Sequence, residues 1–463
     1  MSATDVARWQ FGITTLYHYI FIPVTLGLSF VVAGMETVYA RTKDPAWRRM
    51  TVFWGQIFVI NVAMGVVTGI VQEFQFGMNW STYSTYVGDV FGAPLALEGL
   101  LAFFLESTFI GVWIFTWDRF SPRMHATVAW IVAVGSWVSA VFILVANAWM
   151  QHPVGYIING STGRAQLTDF GALLTNSVFL ITLPHTILAA ALTAGAILLG
   201  IGCWQLFRRI DSAIFLPTAR IGAVVTIVSA VLVGFSGHLQ AQIMTNVQPM
   251  KMAAAEALFQ GKHGAEFSLF AIGDVAHGRN TFNIALPHML SVLATNSWNG
   301  YVAGVDDLES KYQLTYGPGY YEPNVAVTYW TFRVMVGTAF LSGLVGFIAA
   351  LLWRRGILGR QRWFQRVVVG AIALPFIGNF TGWVFTEMGR QPWVVFGLLQ
   401  TNNAASPSVG AVSVWVSFVG FTLLYGVLAA IAMRLVMKHI RSADSGAPEA
   451  DTSADTSSKA MAY

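Results

Sequence analysis

A long apolar run of this sequence ends in the segment Gly382-Trp383-Val384-Phe385-Thr386-Glu387-Met388-Gly389-Arg390-Gln391-Pro392-Trp393. An ionisable group at the edge of hydrocarbon needs a partner or a bound ion, so Glu387 is a candidate for a functional site. Arg390 follows three residues later and faces Glu387 if the helix continues that far. An aromatic belt with one interfacial salt bridge would use the same residue types. Both interpretations make this run a membrane-spanning helix that ends at a polar boundary.

The composition indicates a polytopic membrane protein. Of 463 residues, 55% are hydrophobic and only 10% are charged, and the mean hydropathy is +0.60; soluble domains carry about 25% charged residues. The formal charge of +4 lies in short connections, which predicts a lipid bilayer and no nucleic acid as the partner. The only cysteine is Cys203, which excludes an internal disulfide and a covalent c-type haem site. No cleavable signal peptide is predicted before the first apolar run.

Nine apolar runs are long enough to cross about 30 Å of hydrocarbon. Basic residues concentrate in the connections after the first, third, fifth and seventh runs, which predicts that those connections are cytoplasmic. We therefore expect an all-α membrane protein of nine transmembrane helices, with its N-terminus outside and its C-terminus in the cytoplasm. The runs lie near 12–40, 52–72, 94–117, 126–148, 178–206, 220–237, 326–353, 366–386 and 411–437.

This pattern divides the chain into four parts. They are 1–237 with helices one to six, an external loop at 238–325, 326–438 with helices seven to nine, and a disordered cytoplasmic tail at 439–463. Long ordered loops tend to be functional. Within this loop, residues 248–259 resemble a helix that Pro249 opens. An apolar piece at 281–295 is interrupted by Pro287 and is short for a span, so we expect it to be interfacial or re-entrant.

The histidines limit the redox chemistry. The chain has nine histidines, and only His18 and His185 fall well within predicted spans. A haem-copper oxidase needs at least six around its metals, and a paired-haem cytochrome b needs four, so neither can be built here. Two intramembrane histidines serve two haems only if methionine or carboxylate side chains complete the ligand set. Simple packing is the alternative role for each histidine and for Met335.

The predicted topology places five candidate ligands or charge partners near the outer ends of their spans: His18, Glu98, His185, Met335 and Glu387. Arg333 and Arg390 add cations at this level, suited to haem propionates or to Glu387.

Glu106 follows Glu98 by eight residues, which in a helix is about 12 Å deeper and on the same side. Carboxylates that step inward along one helix predict a proton path.

Taken together, the motifs of this chain resemble subunit I of the cytochrome bd quinol oxidases. The resemblance runs from Trp9 to the end of the ninth span, and the combination is specific although each motif alone is weak. The motifs are Arg8-Trp9-Gln10-Phe11-Gly12, Glu73-Phe74-Gln75-Phe76-Gly77, Phe91-Gly92-Ala93-Pro94-Leu95-Ala96, Phe104-Leu105-Glu106-Ser107-Thr108-Phe109, Asn147-Ala148-Trp149-Met150-Gln151, Arg333-Val334-Met335-Val336-Gly337 and the segment 382–393.

The resemblance implies a set of haem ligands. His185 and Met335 would be the axial ligands of a low-spin haem b. His18 and Glu387 would hold the two high-spin haems, a second haem b and haem d, in an order that the resemblance leaves open. Trp383, Arg333 and Arg390 would complete the cofactor-binding residues.

The family also implies roles for four further residues. Glu98 and Glu106 match carboxylates of proton delivery and the di-haem site, and Lys251 and Glu256 match quinol-binding residues of the external Q-loop. This loop lacks a long C-terminal insertion, so the chain resembles the short-loop class. The run Gly237-His238-Leu239-Gln240-Ala241-Gln242 is less acidic than in some relatives, which leaves ubiquinol and menaquinol both open.

The implied activity is that of a terminal oxidase in the bacterial cytoplasmic (inner) membrane. It would oxidise quinol at the outer face, reduce O2 to water and separate charge without pumping. A second large subunit and a small single-span subunit are the implied partners.

Two other function classes compete with the oxidase. A secondary transporter that uses Glu98, Glu106 and Glu387 predicts inverted repeats, and no clear repeat is present. A haem-binding membrane subunit could pass electrons elsewhere without oxygen chemistry.

Overall fold

Long apolar helices dominate the structure, a computed structural model that describes residues 1–274 and 277–443. Within this part of the chain, nine segments are long and apolar enough to cross a membrane, which confirms the predicted number. They are Ala3–Thr42, Pro45–Met78, Ser81–Phe115, Pro122–Gln151, Ser177–Phe207, Ser212–Val247, Val325–Arg354, Arg362–Met388 and Ala411–Ser442.

Three of these segments contain more than one helix, because short irregularities interrupt the backbone. A π-helical stretch at Glu98–Phe103 separates α4 from α5. The helices are α1 Ala3–His18, α2 Ile22–Thr42, α3 Pro45–Met78, α4 Ser81–Leu97, α5 Phe104–Phe115, α6 Pro122–Gln151, α7 Phe170–Leu174, α8 Ser177–Phe207, α9 Ser212–Val247, α10 Pro249–Ala255, α11 Met289–Thr295, α12 Val305–Tyr316, α13 Val325–Arg354, α14 Arg362–Ala371, α15 Ala373–Met388 and α16 Ala411–Ser442.

Eight short strands form four antiparallel pairs in the connections, namely β1 with β2, β3 with β6, β4 with β5, and β7 with β8. Their bounds are β1 Tyr156–Ile158, β2 Ala165–Leu167, β3 Lys262–His263, β4 Phe267–Asp274, β5 Arg279–Leu286, β6 Tyr301–Val302, β7 Trp393–Val395 and β8 Leu399–Gln400.

The third segment begins well before the predicted start at residue 94. Pro94 lies inside α4, and the helix begins at Ser81. Proline removes a backbone hydrogen bond from a helix interior, and the π-helical stretch that follows is a common way to absorb such an irregularity. The prediction that Glu98 lies one turn into its span is therefore wrong: Glu98 follows the helix start by 17 residues, about 25 Å of helix.

Sequence signals for the external loop are partly confirmed. Helix α10 begins at Pro249, the predicted opening residue. The piece at 281–295, predicted to be interfacial or re-entrant, consists of most of β5, which pairs with β4, followed by α11. At the other end of the chain α16 continues to Ser442, so residues 439–442 of the predicted tail are helical; residues 444–463 of that tail lie outside the described residues.

Small residues bring the central helices into close contact. Helix α8 is the most buried of the spans and packs against α9 along its length. A Cβ added to Gly222 of α9 would lie 2.4 Å from the backbone nitrogen of Leu199, and one added to Gly27 of α2 would lie 2.3 Å from the carbonyl oxygen of Ala190. Glycine at these positions lets the backbones approach, as in other membrane helix pairs.

One buried polar cluster joins three helices near the N-terminus of α6. His125 of α6 contacts the carboxylate of Glu36 on α2, and its Nε2 lies 2.9 Å from the carbonyl oxygen of Trp113 on α5. Nε1 of Trp113 donates to the same Glu36 carboxylate at 2.7 Å. Since each polar group in the cluster has a partner, it satisfies the requirement that buried charges be paired and fixes α2, α5 and α6 together.

We predict that Gly27→Ala lowers the apparent unfolding temperature of the purified complex by a few degrees, because the added methyl group meets a backbone oxygen that cannot rotate away. Overpacking of this kind costs about 1–3 kcal/mol. The matched control is Gly34→Ala in the same helix, since a Cβ at Gly34 has no heavy atom within 4 Å. Equal melting of the two variants would contradict the close α2–α8 contact.

Candidate functional site

His18, the last residue of α1, is oriented by a threonine on α3. Its Nδ1 lies 2.9 Å from the hydroxyl of Thr68. That hydroxyl also donates to the backbone carbonyls of Met64 and Gly65, so it accepts from Nδ1–H, and Nε2 keeps its lone pair. This is the tautomer of a metal-ligating histidine. Beside the ring, a Cβ on Gly69 would lie 3.5 Å from Nε2, so glycine keeps this edge of the imidazole accessible.

His185 on α8 is oriented in the same way, by a serine hydroxyl on α9. Its Nδ1 lies 2.9 Å from the hydroxyl of Ser236, which itself donates to the carbonyl of Val233 at 3.2 Å. Nδ1 is therefore the protonated nitrogen, and Nε2 is available as a ligand. The next residue of α9, Gly237, leaves space beside the ring, since a Cβ there would lie 3.5 Å from Cε1 of His185.

Met335 on α13 faces α15. A Cβ on Gly382 would lie 2.8 Å from the Met335 sulfur, so the glycine allows the thioether to lie directly against the α15 backbone. Trp383 is the next residue of α15 and is half-buried. Met335 thus lies beside the helix that carries Glu387, and these two candidate ligands share one helix pair.

Glu387 has the arginine partner that the sequence predicted. Arg390 contacts the Glu387 carboxylate, and Nδ2 of Asn147 on α6 donates to the same carboxylate at 3.0 Å. Arg390 is only 4% exposed, and its Nε and Nη1 have no partner within the described residues. Buried guanidinium N–H groups need acceptors, and an anionic group such as a haem propionate would supply them.

Arg333 lies two residues before Met335 and joins α13 to the external loop. Its Nη2 contacts Glu256 at 2.5 Å, and its Nε donates to the carbonyl of Ser268 at 2.6 Å. Its Nη1 is buried and lacks a partner in the part of the chain that is described. Arg333 therefore contacts Glu256 through Nη2, and its Nη1 is available to donate to an anionic group.

The two carboxylates of the third segment both contact α6. Glu98 accepts from Ser139 at 2.7 Å, and Glu106 accepts from Ser136 at 2.5 Å. These hydroxyls are three residues apart, about 4.5 Å along α6. The π-helical stretch between the glutamates contains more residues per turn than an α-helix. It brings both glutamate side chains to one face of α6. Their serine partners are therefore much closer together along α6 than the rise of about 12 Å that a regular helix would place between the two glutamates.

Lys251 and Glu256 lie on the external loop but contact different parts of the site. Nζ of Lys251 donates to Oε1 of Gln151 at 2.6 Å, and the lysine is 5% exposed. Burial lowers the pKa of Lys251 to about 7, and nearby Arg390 acts in the same direction while Glu387 opposes it. Burial raises the pKa of Glu256 to about 7 although Arg333 opposes the shift. Both groups therefore titrate near neutral pH, as acid–base groups often do.

The structure thus forms two groups of residues from the predicted set. Met335, Arg333 and Glu256 are linked through α13, whereas Glu387, Arg390 and Lys251 lie near the C-terminal ends of α15 and α6. The sequence did not predict the polar residues that orient these groups, because each is an ordinary Ser, Thr, Asn or Gln far away in the chain. Those residues are Thr68, Ser136, Ser139, Asn147, Gln151 and Ser236.

Comparison with known proteins identifies the family of this chain. The family model described as cytochrome bd terminal oxidase subunit I matches residues 6–444. The chain is 44% identical over 446 residues to the cytochrome bd ubiquinol oxidase subunit 1 of Bacillus subtilis, covering 95% of this chain and 94% of the relative. It is 37% identical to the cytochrome bd-II ubiquinol oxidase subunit 1 of Escherichia coli, covering 87% and 89%.

A solved structure agrees with the fold. The bd oxidase from Geobacillus thermodenitrificans matches with a TM-score of 0.85 and 27% identity, over 95% of this chain and 99% of that one. With its nine membrane-spanning segments and a family match over nearly its whole length, this chain belongs to the cytochrome bd terminal oxidase subunit I family.

Proposed function

We propose that this chain oxidises quinol at the outer face of the bacterial cytoplasmic membrane and reduces O2 to water. The chain is a quinol:oxygen oxidoreductase subunit by family, and haem cofactors and a second subunit follow from that membership. The observation that carries the proposal is the pair of half-buried histidines whose Nδ1 atoms are fixed by Thr68 and Ser236. Two imidazoles whose Nε2 atoms are free to bind a metal fit a haem-binding electron-transfer protein.

We propose that His185 and Met335 would hold low-spin haem b. His18 and Glu387 would each hold one of the two other haems, a high-spin haem b and haem d, in an order that stays open. When bound, these haems supply one-electron transfer and the position at which O2 is reduced. The thioether of Met335 and the imidazole of His185 would hold the low-spin haem b. Trp383, Arg333 and Arg390 complete the surroundings, and the buried unpartnered N–H groups of the two arginines suit propionates.

Quinol is oxidised at the loop residues Lys251 and Glu256, which we propose as proton acceptors for its hydroxyls. A base is most effective when its pKa lies near the working pH, and both groups titrate at about 7. Ubiquinol and menaquinol both have the two hydroxyls that this chemistry requires. The compact loop assigns the chain to the short-loop class.

Protons for water formation enter from the cytoplasm through Glu106 and Glu98, held by Ser136 and Ser139. Quinol protons leave on the outer side, because the N-terminus is outside and the external loop follows an even number of spans. Electrons from outside and protons from inside meet within the membrane, so charge is separated without a pump. The complex contains a second large subunit and, we propose, a small single-span subunit.

The axial ligands can be distinguished by spectroscopy. Met335→Leu should remove the low-spin haem b signal, and His18→Ala should remove a high-spin signal, because each loses one iron ligand. The measurement is the reduced-minus-oxidised spectrum of each purified complex, with Met433→Leu, an exposed methionine of α16, as the matched control. Equal loss of all three signals in both variants would indicate misassembly and contradict the ligand assignment.

The role of Glu256 predicts a pH dependence. The carboxylate accepts a proton only when it is ionised, so turnover at saturating quinol should fall as the pH drops through about 7. Glu256→Gln should lower turnover about 10²-fold, the usual contribution of a general base, and should remove the part of this pH dependence that Glu256 contributes, leaving the part that comes from Lys251. Oxygen uptake with added quinol measures both effects.

The control for this prediction is Glu266→Gln, which removes a carboxylate of the same loop that pairs with Lys262 and should leave the profile unchanged. A Glu256→Gln enzyme whose turnover and acidic limb both equal those of the wild type would exclude Glu256 as the base. Oxygen uptake itself also separates this function from electron transfer to another acceptor, because a subunit of that kind consumes no O2.

A further inference from the structure

We propose that Gln151 is a positioning residue for quinol oxidation, which holds Lys251 through Oε1 and offers its amide N–H to an oxygen of the quinol. This role rests on the proposed quinol chemistry of Lys251. Gln151 is the last residue of α6 and is 3% exposed. Its Oε1 lies 2.6 Å from Nζ of Lys251, within the range of a strong charge-assisted hydrogen bond.

The ammonium fixes the orientation of the amide. While Lys251 is protonated, its ammonium has three donors and no acceptor, so the oxygen of the Gln151 amide, and not its nitrogen, faces Nζ. The nitrogen Nε2 is then buried without a partner within the described residues. An amide places its nitrogen and oxygen on the same carbon, so Nε2 lies no more than about 5 Å from Nζ. One oxygen atom of a bound molecule can therefore accept from both groups.

Further contacts hold the end of α6 against the external loop. The carbonyl oxygen of Gln151 accepts from Nε2 of Gln248 at 2.9 Å, and Gln248 immediately precedes α10, the helix that carries Lys251. On the other side, a Cβ on Gly389 would lie 2.7 Å from Cγ of Lys251. The lysine side chain is thus enclosed between the ends of α6 and α15, and its position depends on α6 as much as on its own loop.

The first test compares quinol kinetics of the whole complex. Gln151→Leu removes both the acceptor and the donor, and we expect the KM for quinol to rise about tenfold, because hydrogen bonds to charged groups are worth at least that factor. The kcat should change less than twofold, since Gln151 transfers no proton. Gln151→Glu keeps the acceptor for Nζ but loses the N–H donor, so its KM for quinol should lie between those of the wild type and Gln151→Leu, which a purely structural role would not require.

A matched control comes from the other end of the bundle. Gln205 of α8 is also fully buried, its Nε2 donates to the carbonyl of Ile440 and its other amide atom lacks a partner within the described residues. Gln205→Leu removes a similar buried amide far from Lys251 and should leave the KM for quinol unchanged. A rise in KM equal to that of Gln151→Leu would overturn the proposal.

A second test does not depend on turnover. Acetic anhydride labels accessible lysine amines, and mass spectrometry reports the rate at each lysine. We expect Lys251 to be labelled several-fold faster in Gln151→Leu than in the wild-type complex, while Lys311, an exposed lysine of the same loop, keeps its rate as the internal reference. Labelling that stays as slow as in the wild type would show that other contacts hold Lys251, and would overturn the proposal.

These outcomes are separable from a failure of the proposed function. If the wild-type complex oxidises quinol while Gln151→Leu changes neither KM nor labelling, Gln151 has no positioning role and the oxidase assignment stands. If the wild-type complex oxidises no quinol, the oxidase assignment itself fails. Should Gln151→Leu not assemble, Gln151→Asn withdraws the amide by one methylene group; a raised KM in that variant supports the proposal and an unchanged KM overturns it.

Discussion

The polar face of α6 is the feature on which the site depends. Charged groups inside a membrane need hydrogen-bond partners, because hydrocarbon offers none. Helix α6 supplies these partners with four side chains spaced at four, eight and three residues, which keeps them on one face over about 22 Å. Each contacts a charged group from a different element: Gln151 holds Lys251, Asn147 holds Glu387, Ser139 holds Glu98 and Ser136 holds Glu106.

This arrangement orders the proposed chemistry by depth. Lys251 and Glu387 lie at the C-terminal end of α6, and the two glutamates proposed for proton delivery lie further along this helix toward its N-terminus. The candidate haem ligands follow the same principle on other helices, since His18 and His185 are each oriented by a hydroxyl on the neighbouring helix. A glycine next to each ring keeps one edge of the imidazole free of a side chain. The membrane therefore explains why so many apparently minor Ser, Thr, Asn and Gln residues occupy defined positions.

The sequence predicts the architecture well because hydropathy and loop charge report directly on membrane insertion. Nine spans and the ion pair between Glu387 and Arg390 can be read from local spacing. The position of Glu98 within its span cannot be read in this way. Pro94 suggests the start of a helix, whereas the helix begins at Ser81, continues through Pro94 and leads into the π-helical stretch. The partners of the charged residues also escape local analysis, since Asn147 and Glu387 are separated by 240 positions and no periodicity links them. Likewise, the apolar composition of 281–295 does not reveal that its first half is a strand, because the partner strand β4 lies outside this segment.

The reduced-minus-oxidised visible spectrum of the purified complex, recorded before and after addition of carbon monoxide, tests the central claim most directly. The account predicts low-spin haem b bands together with a far-red chlorin band that shifts when carbon monoxide binds, because low-spin haem b and haem d are among the cofactors that we propose. An intact complex without haem signals, or with haem bands that carbon monoxide leaves entirely unchanged, would contradict the assignment of oxygen reduction to this site.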